Sequence, residues 1–208
     1  QHSGDYNNLR DIPRPSHADF TARMRYGDKV DMRGGGHFSA RLTAPLCVAG
    51  GIALQLLREK GIEIHGHLKQ VGTIQDAPID LVHPDMKALG NIATEPIAML
   101  DADKRAEVEK LVMQLKKDGD STGGIVEVVA TGLPIGLGNP NFDGIENRLA
   151  RVIFGVPAIK GISFGGGFDI CAKLGSEVND AFTMNGDKIT TTTNNSGGIQ
   201  GGITNGLP

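Results

Sequence analysis

The chain has 208 residues, of which 39% are hydrophobic and 22% charged, proportions that are ordinary for a globular protein and too apolar for a disordered one. Its formal net charge is -3, it lacks tryptophan, and only 4% of its residues are aromatic, so we expect no base-stacking surface and no nucleic-acid partner. No apolar run approaches the length that crosses a bilayer and no signal peptide is evident, so we predict no membrane partner.

Residues 1–42 are rich in Gly, Asp, Asn, Pro and Arg and show no sustained hydrophobic period, so we predict loops there. Between residues 10 and 41, seven Lys and Arg residues stand against four Asp residues, although the chain as a whole is acidic. Nearly all of these cations are arginine, whose planar guanidinium suits carboxylates and phosphates. The local excess indicates either a site for a small anion or a solvated basic surface.

The next two segments predict a helix and a strand. TAPLCVAGGIALQLLREKG predicts a helix with Thr43 as its N-cap and Gly61 past its end. Because its middle is apolar on almost every face, we expect it to be buried on more than one side. IEIHGHLKQVG then predicts a strand with His65 and His67 on one face. We expect that face to be polar and outward; a zinc site is less favoured because no third ligand is apparent nearby.

Later segments continue this mixture of helices and strands. The order helix, break, strand occurs at 43–71 and again at 145–168, which is a weak indication of an internal repeat. No βαβ run with a phosphate-binding turn is found, so a Rossmann fold is not favoured. We predict an α+β fold with helices packed on antiparallel sheets. The predicted elements are a loop-rich connection (75–100), an amphipathic helix (101–119), a strand (125–131), a turn-rich loop (133–144), a helix (145–154) and a strand (158–168).

Three segments carry residues that could act on a ligand. RPSHAD places His17 between an arginine and an aspartate, and a histidine there can serve as an acid or base or be purely structural. YGDKVDMRGGGHFSARLTA places Ser39 and Arg41 after three glycines at the start of a helix, a combination that can bind an anion. NNSGGIQGGITNGLP, residues 194–208, contains five glycines and is either a flexible tail or a place where a ligand lies against bare backbone. It matches neither the P-loop nor G-x-G-x-x-G.

Together the three segments resemble the chorismate synthase family. The family's signatures read approximately RPsHADyT...KYG..D.RGGGR.SARET and TNNxGGIxGGIsNGxPI. This chain reads RPSHADFTARMRYGDKVDMRGGGHFSARLTA and TTNNSGGIQGGITNGLP, in the same order. STGGIVEVVATGLPIGLGNPNFD and VPAIKGISFGGGFDICAKLGSEVND also look like central blocks of the family. The resemblance therefore extends over essentially the whole chain.

The resemblance implies a β-α-β sandwich, with helices between antiparallel sheets, as a single core domain over residues 1–208. It implies a cytoplasmic, homotetrameric lyase of the shikimate pathway that converts 5-enolpyruvylshikimate-3-phosphate to chorismate by 1,4-anti elimination of phosphate. The cofactor would be reduced FMN. Because no separate NADPH-binding domain is evident, we expect an external reductant for the flavin.

The resemblance also assigns roles to individual residues. His17 matches a histidine beside the flavin that helps set the protonation of reduced FMN, and Ser39 matches a serine near flavin and substrate. Arg14 and Arg41 match arginines that bind the anionic groups of the substrate. The expected cofactor-binding loop, whose glycines would let backbone N–H groups approach the FMN, comprises Asn194, Asn195, Ser196, Gly197, Gly198, Gly201 and Gly202.

The chain departs from the family pattern at several points. His37, Phe38 and Leu42 stand in a segment where the family has Arg-x-Ser-Ala-Arg-Glu-Thr, so two charges near the site are lost. The family's Gly-x-Ser-His-Gly segment and its later Lys and Arg-His-Asp segments are not in this sequence, so we expect a central piece of the enzyme. A non-catalytic core that folds, oligomerises and binds flavin weakly is therefore an alternative, and an unrelated anion-binding domain is a third.

Overall fold

The computed structural model describes residues 12–31 and 33–208, which form two compact units. Unit 1 contains the described residues up to Ala53 together with Arg151–Gly161. Unit 2 contains Leu54–Ala150 and Ile162–Pro208. The single domain over 1–208 stays a prediction.

The described residues contain helices and antiparallel strands, so the predicted α+β class is confirmed. Every strand pairing among them is antiparallel: a three-stranded sheet of order β2-β1-β3 and the hairpins β4–β5 and β6–β7. The helices are α1 Asp19–Tyr26, α2 Thr43–Glu59, α3 Met86–Ile92, α4 Ala102–Asp118, α5 Ile145–Ile153 and α6 Gly175–Val178. The strands are β1 Glu63–Val71, β2 Ile74–Gln75, β3 Gly124–Thr131, β4 Phe182–Asn185, β5 Lys188–Thr191, β6 Ile199–Gln200 and β7 Ile203–Thr204.

The first helix corrects the prediction that residues 1–42 are loops. Helix α1 begins at Asp19, whose negative charge complements the helix dipole, and it buries Ala22. Its eight residues span little more than two turns, too few for a hydrophobic period to stand out. The first eleven residues of the predicted loop lie outside the described part of the chain.

Helix α2 was predicted correctly, but its cap was not. Residues 40–42 form a 3₁₀ turn that leads directly into the helix, so the cap lies earlier in the chain than Thr43. Ser39 takes that role, since its Oγ accepts a hydrogen bond of 3.2 Å from the backbone N–H of Arg41. Gly61, with a φ of 74°, follows the helix end as expected.

The expected burial of α2 is wrong for the described part of the chain. None of its residues is buried, and Leu46, Val48, Ile52 and Leu56 are all exposed. The stretch Ala40–Glu59, with a mean hydropathy of 1.5, is long and apolar enough to cross a membrane. The prediction that no run has that length was therefore also wrong, although a core helix of a soluble protein meets the same criteria.

The core of unit 2 lies between the three-stranded sheet and two helices. Helix α3 contacts β1, and α4 contacts β2. The predicted strands over 62–72 and 125–131 and the predicted helix over 101–119 are confirmed as β1, β3 and α4. Helix α3 and strand β2 were missed because they are short and lie in a proline-containing segment. The buried apolar residues of this core are Ile62, Leu89, Ile92, Met99 and Val108.

The strand predicted over 158–168 does not form, so the second helix–strand pair of the suggested repeat, at 145–168, is not found. Ala158, Gly165 and Gly167 all have positive φ, which breaks an extended run, and a 3₁₀ helix follows at Gly167–Ala172. Helix α5, predicted before this segment, is confirmed.

Candidate functional site

The RPSHAD segment folds into a cluster around the first residue of α1. Asp19 is only 5% exposed, and a left-handed turn at Ser16 (φ 56°) precedes the residues that surround it. The Arg14 Nε donates to Asp19 Oδ2 at 2.7 Å and its Nη2 donates to Oδ1 at 2.8 Å. The backbone N–H of Arg14 also donates to Oδ2, at 3.0 Å. Asp19 is thus held by a bidentate arginine, a strong charge-assisted arrangement.

The same carboxylate orients His17. The His17 Nδ1 lies 2.6 Å from Asp19 Oδ1 and 3.2 Å from Arg14 Nη2. A guanidinium and a protonated ring nitrogen can only donate, whereas a bare ring nitrogen so close to a carboxylate would be repelled. The proton therefore lies on Nδ1, and Nε2 is the nitrogen that can accept or deliver a proton.

Asp19 remains ionised over the working pH range. The hydrogen bond from the Arg14 side chain is the largest cause that holds the pKa of Asp19 far below its usual value, and it outweighs the opposing effect of burial. Asp19 was not among the predicted site residues, although it stands in the quoted motif. Arg14, predicted to bind substrate, uses its Nε and one Nη on this aspartate.

The second predicted segment places Ser39 and Arg41 at the start of the helical stretch that becomes α2. A Cβ at Gly35 would come within 2.9 Å of the Ser39 Cβ, so the close approach requires glycine there. Arg41 is exposed, and within residues 12–31 and 33–208 no carboxylate lies at ion-pair distance from it. Its positive charge is therefore available to an anion.

The third segment is an ordered turn and hairpin, not a flexible tail. Asn194 is 3% exposed, and its Nδ2 donates to the carbonyl oxygens of Leu81 and Pro208, both at 2.8 Å. Strands β6 and β7 pair across a turn made by Gly201 and Gly202, with φ values of 60° and 82°. The glycines supply the left-handed turn that such a hairpin needs.

A residue that sequence reasoning missed anchors this loop. Asp180 Oδ1 accepts hydrogen bonds from the backbone N–H of Asn195 (2.7 Å), the Asn195 Nδ2 (3.0 Å) and the Thr193 Oγ1 (2.8 Å). Its Oδ2 accepts from the backbone N–H of Ser196 at 2.8 Å. Burial raises the pKa of Asp180, but these donors outweigh it and lower the value to about 2. No local pattern could reveal the role, because the donors lie 13 to 16 residues later.

Most glycines of the loop are explained by contacts within unit 2. A Cβ at Gly197 would collide with the backbone of Gly165, and one at Gly202 with the carbonyl oxygen of Asn139. At Gly198 it would lie 2.7 Å from the carbonyl oxygens of Leu207 and Pro208. Gly201 differs, since a Cβ there meets no described atom within 4 Å.

Alanine at Gly198 is expected to destabilise the protein by about 2–4 kcal/mol, and alanine at Gly201 by about 1 kcal/mol. Both positions have positive φ, so strain is common to the two variants, and only Gly198→Ala adds a collision with backbone. Urea unfolding followed by circular dichroism measures the difference. Equal losses of unfolding free energy in the two variants would show that the nearby carbonyl oxygens of Leu207 and Pro208 do not constrain Gly198.

Two side chains of the same segment have polar atoms that a ligand could satisfy. The Ser196 Oγ and the Asn205 Nδ2 are buried, and neither has a hydrogen-bond partner among the described residues. Buried polar groups are normally hydrogen-bonded, so an unpaired hydroxyl and amide in one loop fit a bound molecule with polar heteroatoms. By contrast, the described residues contain no group of three His, Cys, Asp or Glu side chains that could hold a metal ion.

The predicted residues thus fall into two sets. His17, Arg14, Ser39 and Arg41 belong to unit 1, whereas residues 194–202 belong to unit 2. The first set supplies an oriented histidine and positive charge, and the second an ordered glycine-rich loop with unpaired polar atoms. An oriented histidine beside positive charge is an arrangement that can bind an anion and move a proton.

Comparison with known proteins identifies the family. A family model described as chorismate synthase matches residues 1–208. The chorismate synthases of Lancefieldella parvula and Pyrococcus abyssi are 44% and 42% identical, over 98% and 99% of this chain and 56% of each relative. A crystal structure of a chorismate synthase superposes with a TM-score of 0.83 at 28% identity, covering 91% of this chain and 60% of that one. The chain belongs to the chorismate synthase family, and it spans about half the length of the curated relatives it matches.

Proposed function

We propose that this chain carries the lyase chemistry of its family: elimination of phosphate from 5-enolpyruvylshikimate-3-phosphate to give chorismate, the last step of the shikimate pathway. The family match over all 208 residues supports the reaction. The observation that carries the proposal is the 2.6 Å contact between His17 Nδ1 and Asp19 Oδ1, which orients the ring and leaves Nε2 to exchange a proton.

The substrate has two carboxylates and a phosphate, so its binding requires positive charge. We propose that Arg41 binds one of these anionic groups, because the residue is exposed and no described carboxylate neutralises it. Arg14 is proposed to bind another while Asp19 fixes the plane of its guanidinium. Ser39 is proposed to act beside them, with its Oγ held by the Arg41 backbone.

Reduced FMN is the proposed cofactor. When bound, it would supply electron density as phosphate leaves and would accept the proton lost from the ring, with no net redox change. The loop of Asn194, Asn195, Ser196, Gly197, Gly198, Gly201 and Gly202 is proposed to hold it. The unpaired Ser196 Oγ and the open space above Gly201 support this assignment.

Flavin binding without turnover is the second candidate function. It is favoured by the 56% share of the curated relatives that this chain covers, since a relative's remaining residues can contribute to its reaction. A homotetramer in the cytoplasm, with an external reductant for the flavin, is proposed by likeness to the family. The exposed apolar side chains of α2 offer a surface for such an assembly.

An anaerobic assay with chemically reduced FMN and 5-enolpyruvylshikimate-3-phosphate tests the proposal. We expect phosphate release and chorismate absorbance to rise together, and oxidised FMN to give neither. Saturable flavin binding without turnover would favour the second candidate. Neither binding nor turnover would refute both.

Alanine at Gly201 is expected to weaken FMN binding about tenfold, because the added methyl group enters space that is open in the described structure and would meet a bound flavin. Quenching of flavin fluorescence measures the affinity. Gly186→Ala is the matched control, since its Cβ also meets open space and its φ of 59° imposes the same backbone strain. Unchanged affinity in Gly201→Ala would place the cofactor away from this turn.

A further inference from the structure

The amide groups at the start of the glycine-rich loop all have acceptors within the protein. The backbone N–H groups of Asn195 and Ser196 donate to Asp180. That of Gly197 donates to the Asn194 carbonyl at 3.3 Å, and that of Gly198 donates to the Asn194 Oδ1 at 3.0 Å. Four successive N–H groups are thus used internally.

Successive N–H groups of this kind form a concavity that binds anions. Here the Asp180 carboxylate accepts the first two N–H groups, together with the Thr193 hydroxyl and the Asn195 side-chain amide, and Asn194 accepts the other two. A second anion, such as a phosphate, would meet a fixed negative charge instead of open donors. Among the described residues, the buried side-chain atoms of the segment that remain unpaired are the uncharged Ser196 hydroxyl and Asn205 amide.

Asp180 also connects three parts of unit 2. It precedes β4, whereas its donors follow β5, so its hydrogen bonds close the base of the β4–β5 hairpin. The carbonyl oxygen of Asn195 in turn accepts the backbone N–H of Gly166 at 2.8 Å. Asp180 therefore holds the Asn195–Ser196 part of the loop, whereas Asn194 holds Gly197 and Gly198.

We propose that Asp180 is the positioning residue of the 194–198 loop, and that this loop contacts an uncharged part of the flavin instead of its phosphate. The inference rests on the proposed flavin binding and specifies which part of the ligand the loop recognises. It predicts that the loop discriminates poorly between FMN and riboflavin, which lacks the phosphate.

Hydrogen exchange in the flavin-free 208-residue chain tests the positioning role. Asp180→Asn is expected to accelerate exchange of the Asn195 and Ser196 amides about tenfold, with little change at distant amides. Thr193→Val, which removes a single donor, should act in the same direction but less. Asp187→Asn alters an exposed carboxylate at the tip of the same hairpin and is the control. Unchanged exchange at Asn195 and Ser196 in a folded Asp180→Asn protein would overturn the proposal.

Titration with FMN and with riboflavin tests the ligand part. Asp180→Asn is expected to weaken both about tenfold, so that the ratio of their affinities stays constant. If Asp180→Asn instead binds FMN more tightly relative to riboflavin, the released N–H groups bind the phosphate, which contradicts the proposal. If the unmodified chain binds neither flavin, the proposed function fails and the ligand assignment with it, while the exchange data still decide the positioning role.

Chemical rescue separates positioning from a general structural role. Asp180→Ala leaves a space that formate can fill, and formate is expected to slow exchange of the Asn195 and Ser196 amides and to restore flavin affinity. Chloride at the same ionic strength should do neither. Failure of formate to restore either property in a folded variant would overturn the proposal.

Discussion

Replacing His67 with leucine is expected to lower the free energy of unfolding by about 3–5 kcal/mol, because the change leaves buried charge without a partner. The His67 and Asp76 side chains are 1% and 0% exposed. Nδ1 of His67 lies 2.8 Å from Asp76 Oδ2, and Nε2 lies 3.1 Å from Glu127 Oε2. Both ring nitrogens face carboxylates, so both must donate, which only the imidazolium can do.

Asp76 extends this network to the loop before α4. Its carboxylate also accepts the backbone N–H groups of Leu100 (2.7 Å) and Asp101 (2.9 Å). Loss of His67 therefore disturbs the connection between β1, β3 and this loop. His65→Leu is the control, since His65 shares the same face of β1 but packs on Gly90. Urea unfolding measures the stability of both variants. Equal losses of unfolding free energy in the two would show that pairing with the carboxylates does not stabilise the protein.

The same network predicts a stability maximum between about pH 5 and 6.5. Burial lowers the pKa of His67, but hydrogen bonds to Glu127 and Asp76 outweigh it and raise the pKa above its usual value. The contribution of His67 to the free energy of unfolding is therefore complete below the pKa of the unfolded state, about 6.5, and is lost as pH rises through the pKa of the folded state.

The two carboxylates act in the opposite direction. Burial raises the pKa of Asp76, but hydrogen bonds from Asp101, Leu100 and His67 lower it overall, and the hydrogen bond to His67 lowers the pKa of Glu127. Their contribution is present above about pH 4.5 and is lost as pH falls through the folded pKa values. Unfolding from pH 3 to 9 tests this. If the free energy of unfolding changes with pH above pH 7 by the same slope in the unmodified protein and in His67→Leu, the predicted role of His67 is contradicted.

Replacing His17 with alanine is expected to reduce turnover by about 10²–10⁴-fold in the anaerobic assay, the usual contribution of a general acid or base. Asp19→Asn should cost less, about 10–10²-fold, since the histidine remains but loses the carboxylate that fixes its tautomer. Asp28→Asn, an exposed carboxylate near the end of α1, is the control. Flavin affinity in His17→Ala should stay within about threefold, because a lost proton transfer lowers kcat more than binding.

A second measurement of the His17 geometry does not require turnover. Nitrogen-15 NMR of the imidazole should show the proton on Nδ1 at a pH where the ring is neutral, and Asp19→Asn should shift the population toward Nε2–H. A ring already protonated on Nε2 in the unmodified protein would refute the proposed orientation.

Local patterns determined much of the secondary structure. Apolar faces identified α4 and α5, an apolar run with start and stop residues identified α2, alternation identified β1, and β3 was also predicted. Start and stop residues such as Asp101 and Gly119 are local signals, so they can be recognised without knowledge of the fold. The family resemblance, carried by short motifs, singled out His17 and the 194–202 loop.

Only the tertiary structure decided which surfaces are covered. Alternation correctly placed His65 and His67 on one face of β1, but the expectation that this face is outward was wrong, because α3 packs beside it and His67 is buried. The apolar composition of α2 likewise predicted burial, yet none of its residues is buried within the described chain. Periodicity reports which side of an element is apolar, whereas burial depends on what packs against it.

Long-range partners were equally invisible in the sequence. Asp76 pairs with His67 and also with residues 24 and 25 positions later, and Asp180 holds amides 15 and 16 positions later. The sequence by itself determined the helices, the main strands and the family, since each depends on neighbouring residues or contiguous motifs. The buried charges and the anchored loop depend on segments that meet only when the chain folds, because hydrogen bonds and ion pairs act over a few ångströms of space whatever the separation along the chain.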